Sequence, residues 1–319
     1  MQLRKARILS VGTFVPDNIV TNDDLTKQVD TSDEWIRART GIQQRRIVSP
    51  EAPLTNYELG ARAARTALDR AGVVPGDIDC IICATFTPDC FFPSTACRMQ
   101  HVLGCTNASA FDISAACSGF VYGLTIADSM IRSGQVRTVL LVGAELISRT
   151  IDWTDRGTCI LFGDGAGAVV IRAEEDGDRG VLATRLASDG SKGDILYLPA
   201  FGDDRFMKMK GNEVFKHAVR LMGDIAVEAC NRAGVRLEEV DALIPHQANI
   251  RIINGLAERL GIPMQKVITN IERYGNTSSA SIPLALDEGW SSGRIGEGSL
   301  VVFTALGGGV TMGGAVVRL

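Results

Sequence analysis

Short, almost wholly apolar runs punctuate the chain, and longer stretches of helical period separate them. Ile78 to Ala84, Val139 to Ala144, Ala242 to Ile244 and Leu300 to Ala305 are rich in β-branched residues and bounded by turn formers, the pattern of buried strands. Leu59 to Arg70 and Val214 to Arg232 carry their apolar residues on one helical face. Phe120, Leu124, Ala127 and Ile131 mark a further apolar helix of period 3.6. Strands alternating with helices predict an α/β protein.

The pattern also repeats. Residues 71–83 (AGVVPGDIDCIIC) align without a gap with residues 233–245 (AGVRLEEVDALIP), an offset of 162. Val139 to Ala144 matches Leu300 to Ala305, and Gly167-Ala168-Val169-Val170 returns as Gly314-Ala315-Val316-Val317. A duplication of this kind predicts two related sheets, one in residues 1–173 and one in residues 180–319, divided at the polar turn Glu174 to Gly180.

Two segments bear on the membrane. Gly298 to Val317 carries no charge and is long enough to span a bilayer. Glycines 307, 308, 309, 313 and 314 interrupt it, however, and each costs a helix about 1 kcal/mol relative to Ala. Two buried strands joined by a glycine turn are predicted instead, with no membrane segment. The basic start, Met1 to Arg7, precedes too short an apolar run for a signal-peptide core and reads as a first strand.

A hydrophobic fraction of 45% and a charged fraction of 22% suit a soluble globular protein. The net charge of −4 provides no global attraction for nucleic acid or anionic lipid. Eight cysteines lie scattered among apolar neighbours, and Cys80 and Cys83 fall on opposite faces of one strand, as buried small hydrophobes rather than a metal half-site. A reduced, cytoplasmic location is expected.

One cysteine is different. Cys117 follows the strand Ala110 to Ile113 and several tiny residues, and opens the helix that contains Phe120. A thiol at a helix start meets unpaired N–H groups and the positive end of the dipole, which predicts a lowered pKa. His246, in Pro245-His246-Gln247-Ala248-Asn249, follows a buried strand; its plainer reading is a helix cap. Asn276, in Gly275-Asn276-Thr277-Ser278, also admits a capping role. Helix ends at Ser133-Gly134 and Ser292-Gly293 lie 159 residues apart, as do Cys117 and Asn276, so these two are expected to begin equivalent helices. His101 and His217 read as helix-face residues. Gly307-Gly308-Gly309 allows close backbone approach to a ligand.

These residues, together with Thr31 to Ile36, Arg39 to Ile42, Asp112 to Gly119, Asp155 to Thr158, Phe162 to Gly167 and Gly211 to Lys216, resemble β-ketoacyl-acyl-carrier-protein synthase III, the initiating condensing enzyme of bacterial fatty acid synthesis in the thiolase superfamily. The motifs run collinearly over the whole chain. The resemblance implies a thiolase-like α/β/α/β/α core and a ping-pong decarboxylating Claisen condensation of an acyl-CoA with malonyl-acyl-carrier protein. It implies acyl transfer to Cys117, an oxyanion hole of the Cys117 and Gly308 N–H groups, and enolate stabilisation by His246 and Asn276. It further implies CoA contacts from Trp35, Arg39, Arg156, Gly211, Phe215 and Asn249, and a carrier-protein patch of Lys216, Arg251 and Arg259. Phe92 is implied to close the primer pocket of its own or a second subunit in a homodimer, which points to a short primer such as acetyl. No cofactor or metal is implied, the CoA thioester being a substrate. A condensing enzyme of secondary metabolism and a non-catalytic carrier-binding partner are the alternatives; the intact Cys, His and Asn set disfavours the second. Ala305-Leu306-Gly307 lacks the second cysteine of a thiolase, and no motif supplies the extra glutamate of a hydroxymethylglutaryl-CoA synthase.

Overall fold

The computed structural model describes residues 4–175 and 177–319. Its first sheet contains β1 (Lys5–Phe14), β2 (Cys80–Ala84), β3 (Ser109–Ile113), β4 (Thr138–Glu145) and β5 (Gly165–Glu174), in the order β1-β5-β4-β2-β3. The second contains β6 (Gly180–Ser188), β7 (Ala242–Pro245), β8 (Leu300–Gly307) and β9 (Thr311–Arg318), in the order β7-β8-β9-β6. Pairing follows one rule in both. The β2/β4 and β7/β8 pairs are parallel. The β4/β5 and β5/β1 pairs, like β8/β9 and β9/β6, are antiparallel. The uncharged C-terminal run is therefore two strands, β8 and β9, joined by the turn Gly308–Val310. No helix among the described residues is long and apolar enough to cross a membrane. The turn between β5 and β6 includes Asp176, which lies outside the described residues.

The main helices are α1 (Asp33–Thr40), α2 (Asn56–Ala71), α3 (Thr95–Leu103), α4 (Gly119–Arg132), α5 (Gly211–Ala233), α6 (Ile250–Leu260) and α7 (Ser281–Ser291). Their apolar faces decide the layers. Phe120 and Leu124 on α4 and Ile282 and Leu286 on α7 share one core with Val139 of the first sheet and Phe303 of the second. Helices α2 and α3 bury Leu59 and Met99 against the outer face of the first sheet. Helices α5 and α6 bury Met222 and Ile253 against the outer face of the second. Two central helices between two sheets, with helices outside each, make an α/β/α/β/α stack. Cys80 packs into the central core and Cys83 into an outer one, both buried and free, as strand alternation predicts.

The duplication corrects one expectation. Ala116 (φ 46°) and Ser278 (φ 51°) both occupy the left-handed region, which costs a non-glycine residue roughly 1 kcal/mol or more. They stand 162 residues apart, and each opens a single 3₁₀ turn (Ala116–Ser118 and Ser278–Ala280) that runs into α4 or α7. The counterpart of Cys117 is therefore Ser279, not Asn276. The offset of 159 came from the far ends of the helices, where α7, with 11 residues, falls short of α4, with 14.

Phe120 of α4 meets Phe303 of β8 edge to face, with ring centroids 6.1 Å apart and both side chains fully buried. This pair joins the two halves at the central layer. Phe303→Ala is expected to lower the unfolding free energy by about 3–5 kcal/mol, measured by urea denaturation, and Phe303→Leu by less. A loss under 1 kcal/mol for the alanine variant would show that the halves do not depend on this contact.

Candidate active site

Cys117 lies on the 3₁₀ turn between β3 and α4, and the second half presses against that turn. Gly307, the last residue of β8, is so close that a Cβ there would sit 2.7 Å from Ala115 O and 2.8 Å from Cys117 N. Thr311 adds polar ties, accepting from Ser118 Oγ at 2.6 Å and donating to Ala115 O at 3.0 Å. The close approach that the glycine turn was expected to offer a ligand is thus taken up at Gly307 by the turn that carries the thiol.

Cys117 is 6% exposed. Burial pushes its thiol up to about 12, and the nearby Ser278 hydroxyl pulls in the other direction. This reverses the expectation of a lowered pKa. The helix start does favour a negative charge, but loss of water from a nearly enclosed site outweighs it.

His246 follows β7, and its backbone N–H donates to Thr304 O at 2.8 Å, tying it to β8. The residue is 2% exposed, and burial lowers its pKa to about 3, so the imidazole is neutral. Nδ1 lies 2.7 Å from Ser281 Oγ, which also accepts from Gln247 N at 3.3 Å. Ser281 has one hydroxyl hydrogen and, among the described residues, only Nδ1 to give it to. That assigns the proton of the ring to Nε2, as a donor.

Asn276 is held by its backbone to the first half: its N–H donates to Leu161 O at 2.8 Å, and its carbonyl accepts from Gly163 N at 3.0 Å. Gly275 precedes it at φ 65°, where a Cβ would meet Leu161 O at 2.8 Å, so this approach requires glycine. Asn276 Oδ1 accepts from Ser278 N at 2.9 Å. Its amide NH₂ therefore remains as a donor, with no protein partner among the described residues.

Cys117, His246 and Asn276 line one cavity of about 260 Å³. Trp35, Arg39, Gly211, Phe215 and Asn249 extend its wall outward, and Arg251 lies at its rim over the Phe215 ring at 5.0 Å. The guanidinium groups of Arg39 and Arg156 each lie 4.9 Å from the Trp35 ring centroid, giving a half-buried indole with two cations beside it. Asn249 caps α6 through Ile252 N at 2.9 Å, so it has the capping role as well as a place on the wall. A second cavity of about 740 Å³ also reaches Cys117 and is lined by Gly308, Gly309 and Phe91.

Two expected residues stand apart from the cavity walls of this chain. Phe92 lines neither cavity of its own chain and is 86% exposed; Phe91 takes the lining place and stacks on Phe201 with centroids 6.0 Å apart. Arg259 is no unpaired cation, because Asp224 on α5 accepts from it at 2.5 Å. Lys216 and Arg251 are exposed and form no ion pair among the described residues. His101 is exposed on α3, and His217 lies half-buried on α5, away from both cavities. Reading the sequence missed Ser278 and Ser281; the serine-rich run after Asn276, at a helix start, was the available signal.

Residues 111–190 match the family model for 3-oxoacyl-[acyl-carrier-protein (ACP)] synthase III, and residues 230–319 match the model for its C-terminal region. The chain is 50% identical over 322 residues to beta-ketoacyl-[acyl-carrier-protein] synthase III of Xanthomonas campestris pv. campestris, with 98% of each chain covered. It is 51% identical over 312 residues to the Aquifex aeolicus protein of that name, covering 98% of this chain and 99% of the relative. The crystal structure of 3-oxoacyl-[acyl-carrier-protein] synthase III from Aquifex aeolicus VF5 matches with a TM-score of 0.95, covering 98% of this chain and 100% of that one at 50% identity. The priming beta-ketosynthase of the R1128 polyketide pathway matches with a TM-score of 0.95 at 37% identity, covering 100% of this chain and 97% of that one. With a thiolase-type core and relatives matched almost end to end, the chain belongs to the 3-oxoacyl-acyl-carrier-protein synthase III family, the acyltransferases that perform the initiating condensation of fatty acid synthesis.

Proposed function

We propose that this enzyme transfers the acyl group of a short acyl-CoA, such as acetyl-CoA, to Cys117 and then condenses it with malonyl-acyl-carrier protein. The observation that carries this reading is the convergence of a thiol with two neutral N–H donors, His246 Nε2–H and the Asn276 amide, on one cavity lined by no carboxylate among the described residues. In the first half-reaction the sulfur of Cys117 displaces CoA, and the thiol proton leaves with the CoA thiolate. The Cys117 N–H, which has no carbonyl partner among the described residues, and the N–H of Gly308 are the donors for the transient oxyanion.

In the second half-reaction the carbon–carboxylate bond of malonyl breaks, releasing CO₂ and leaving an enolate. An enolate oxygen needs hydrogen-bond donors, and a neutral imidazole and an amide supply them without proton transfer. The enolate carbon attacks the acyl-Cys117 carbonyl, the Cys117 sulfur leaves and takes up a proton, and the β-ketoacyl chain remains on the carrier. The reaction balances without a cofactor.

The Trp35 face flanked by Arg39 and Arg156 suits an aromatic base bearing phosphates, and the wall from Gly211 and Phe215 past Asn249 suits the pantetheine arm. Lys216 and Arg251, exposed at the rim, suit an acidic carrier protein. The protein acts as a cytoplasmic homodimer in which exposed Phe92 of one copy closes the larger cavity of the other. The match to a priming ketosynthase of a polyketide pathway keeps secondary metabolism as the second reading.

Radiolabelled acetyl-CoA is expected to label the wild-type protein covalently, and Cys117→Ser to abolish the label. No label from any short acyl-CoA would remove the first half-reaction. His246→Ala and Asn276→Ala are expected to retain acylation within a few-fold while losing malonyl decarboxylation by 100-fold or more, on the order of 3 kcal/mol for a lost donor. Ser281→Ala, which frees the ring to move its proton, is expected to follow the same split more mildly, about tenfold. Equal loss of both half-reactions would refute the division. Since burial raises the Cys117 pKa, alkylation of the free enzyme by iodoacetamide is expected to rise about tenfold per pH unit from pH 7 to 9. A plateau near pH 7 would show a thiolate already formed.

A further inference from the structure

Glu145 ends β4 with no exposed surface, and no Lys or Arg pairs with it among the described residues. Its two oxygens have different surroundings. Oε2 accepts from Thr87 Oγ1 at 2.7 Å, Thr85 Oγ1 at 3.1 Å and Phe86 N at 3.2 Å. Both threonine hydroxyls are also acceptors, Thr85 from Asn56 Nδ2 at 2.8 Å and Thr87 N at 3.1 Å, and Thr87 from Leu146 N at 2.9 Å; each is nearer to the carboxyl oxygen than to the other hydroxyl, 3.5 Å away. Oε1 faces a single group, Ser279 Oγ, at 3.0 Å. The same Ser279 oxygen lies 2.8 Å from Ala84 O.

A serine hydroxyl has one hydrogen. If Ser279 gives it to Ala84 O, the shorter contact, the contact to Oε1 lacks a hydrogen unless Glu145 supplies it. A protonated carboxyl closes the network: Oε1–H donates to Ser279, Ser279 donates to Ala84 O, and Oε2 accepts three bonds. Burial favours the same state, raising the pKa of Glu145 from the usual carboxylate range to about 7.

The position connects this proton with the reaction. Ser279 is the counterpart of Cys117 and belongs to the turn whose preceding residues present Asn276 and place Ser278 beside the thiol. An anionic Glu145 also opposes formation of a thiolate at Cys117. The other titratable groups around it are few. Burial raises the thiol of Cys83 on β2, and the charges of Asp112, Glu145 and Asp89 add to the effect. Asp112 is engaged by Thr95 N and Ala96 N, and Asp89 by Arg149.

We propose that Glu145 is a positioning residue that works in its neutral, proton-bearing form, clamping the Ser279 turn of the second half to the first-half sheet while keeping negative charge away from Cys117. The inference rests on the acyl-Cys117 reading above. It goes further by giving the enzyme a carboxyl group that must stay protonated.

Glu145→Gln tests it. A glutamine amide reproduces the neutral network, with the oxygen toward the threonines and the NH₂ toward Ser279, and cannot ionise. The rate of Cys117 acylation by acetyl-CoA is measured from pH 6 to 9 for wild type and the variant. The ratio of variant to wild type is expected near one at pH 6 and to rise several-fold by pH 8.5, as the wild-type carboxyl ionises. Stability follows the same sign. A carboxyl whose pKa is raised in the folded state contributes stability that is complete below the unfolded value and is lost as pH rises through about 7. The melting temperature of Glu145→Gln relative to wild type is therefore expected to climb between pH 5 and 8. Glu145→Ala is expected to retain acylation and lose malonyl decarboxylation by about tenfold or more, because the clamp on the Asn276 turn is gone. If that variant does not fold, the glutamine ratio alone decides. A ratio that is flat or falls with pH overturns the proposal. Absence of acyl-Cys117 in wild type would instead overturn the reading on which it rests.

Discussion

The site depends on two crossings at the centre of the molecule, in which each half of the chain seats the other half's strained turn. Gly307 closes β8 directly against Ala115 O and Cys117 N. In the other direction, a Cβ on Gly143 of β4 would lie 2.5 Å from Ser279 O, and Glu145 two residues later receives the Ser279 side chain. Ala116 and Ser278 are held in left-handed conformations by these opposing strands, a strain that surrounding structure must over-determine if it is to persist. Remove either strand end and the thiol and the amide of Asn276 lose their common reference. The duplication is therefore part of the chemistry: neither half builds the site alone.

Much of this was legible in the residues. Strand runs, the central helix and the opposite faces of Cys80 and Cys83 follow from periodicity, because one-sided or complete burial leaves a pattern on the chain. The repeat of residues 71–83 at 233–245 carried the correct offset of 162. The pairing of Cys117 with Asn276 failed because it was anchored on helix ends, which drift, rather than on the packed turns, which do not. The thiol pKa was read from the helix dipole alone, and sequence contains no measure of how far the cavity excludes water; burial then dominated. The ion pair of Arg259 is likewise invisible in the sequence, because its partner Asp224 lies on another helix, 35 residues away. The place of Phe92 comes from resemblance alone: within one chain Phe91, its neighbour, lines the cavity, and Phe92 stands exposed beside it.

The electrostatics of the site select among reaction types. His246 is neutral and gives its Nδ1 lone pair to Ser281, so it has no free basic nitrogen toward the cavity. Asn276 has its carbonyl taken by Ser278 N and keeps only N–H groups. A site built to remove a proton from carbon would require the reverse, a lone pair facing the substrate. Two donors and no base suit a carbanion made by losing CO₂, where the negative charge already exists on the substrate and only has to be moved and held.

The broken symmetry between the halves has a physical reason. The parallel pairs Cys80 with Val139 and Ala242 with Val301 set these strands at an offset of 162, one residue from the match of Val139 to Ala144 with Leu300 to Ala305. Gly307 and Glu145 therefore occupy matching places, each at the end of its strand and each beneath the other half's turn. Beneath Cys117 the backbone comes so close that any side chain would collide with the turn, so the position is glycine. Beneath Ser279 no ligand has to be received, and the space is filled by a side chain that ties four groups from two halves together. Leaving that space empty would cost the packing of the turn, and an apolar side chain would strand the hydroxyls of Thr85 and Thr87 without acceptors. A carboxyl fits, provided that it keeps its proton, since an anion there would add to the burial that already disfavours a charged sulfur at Cys117.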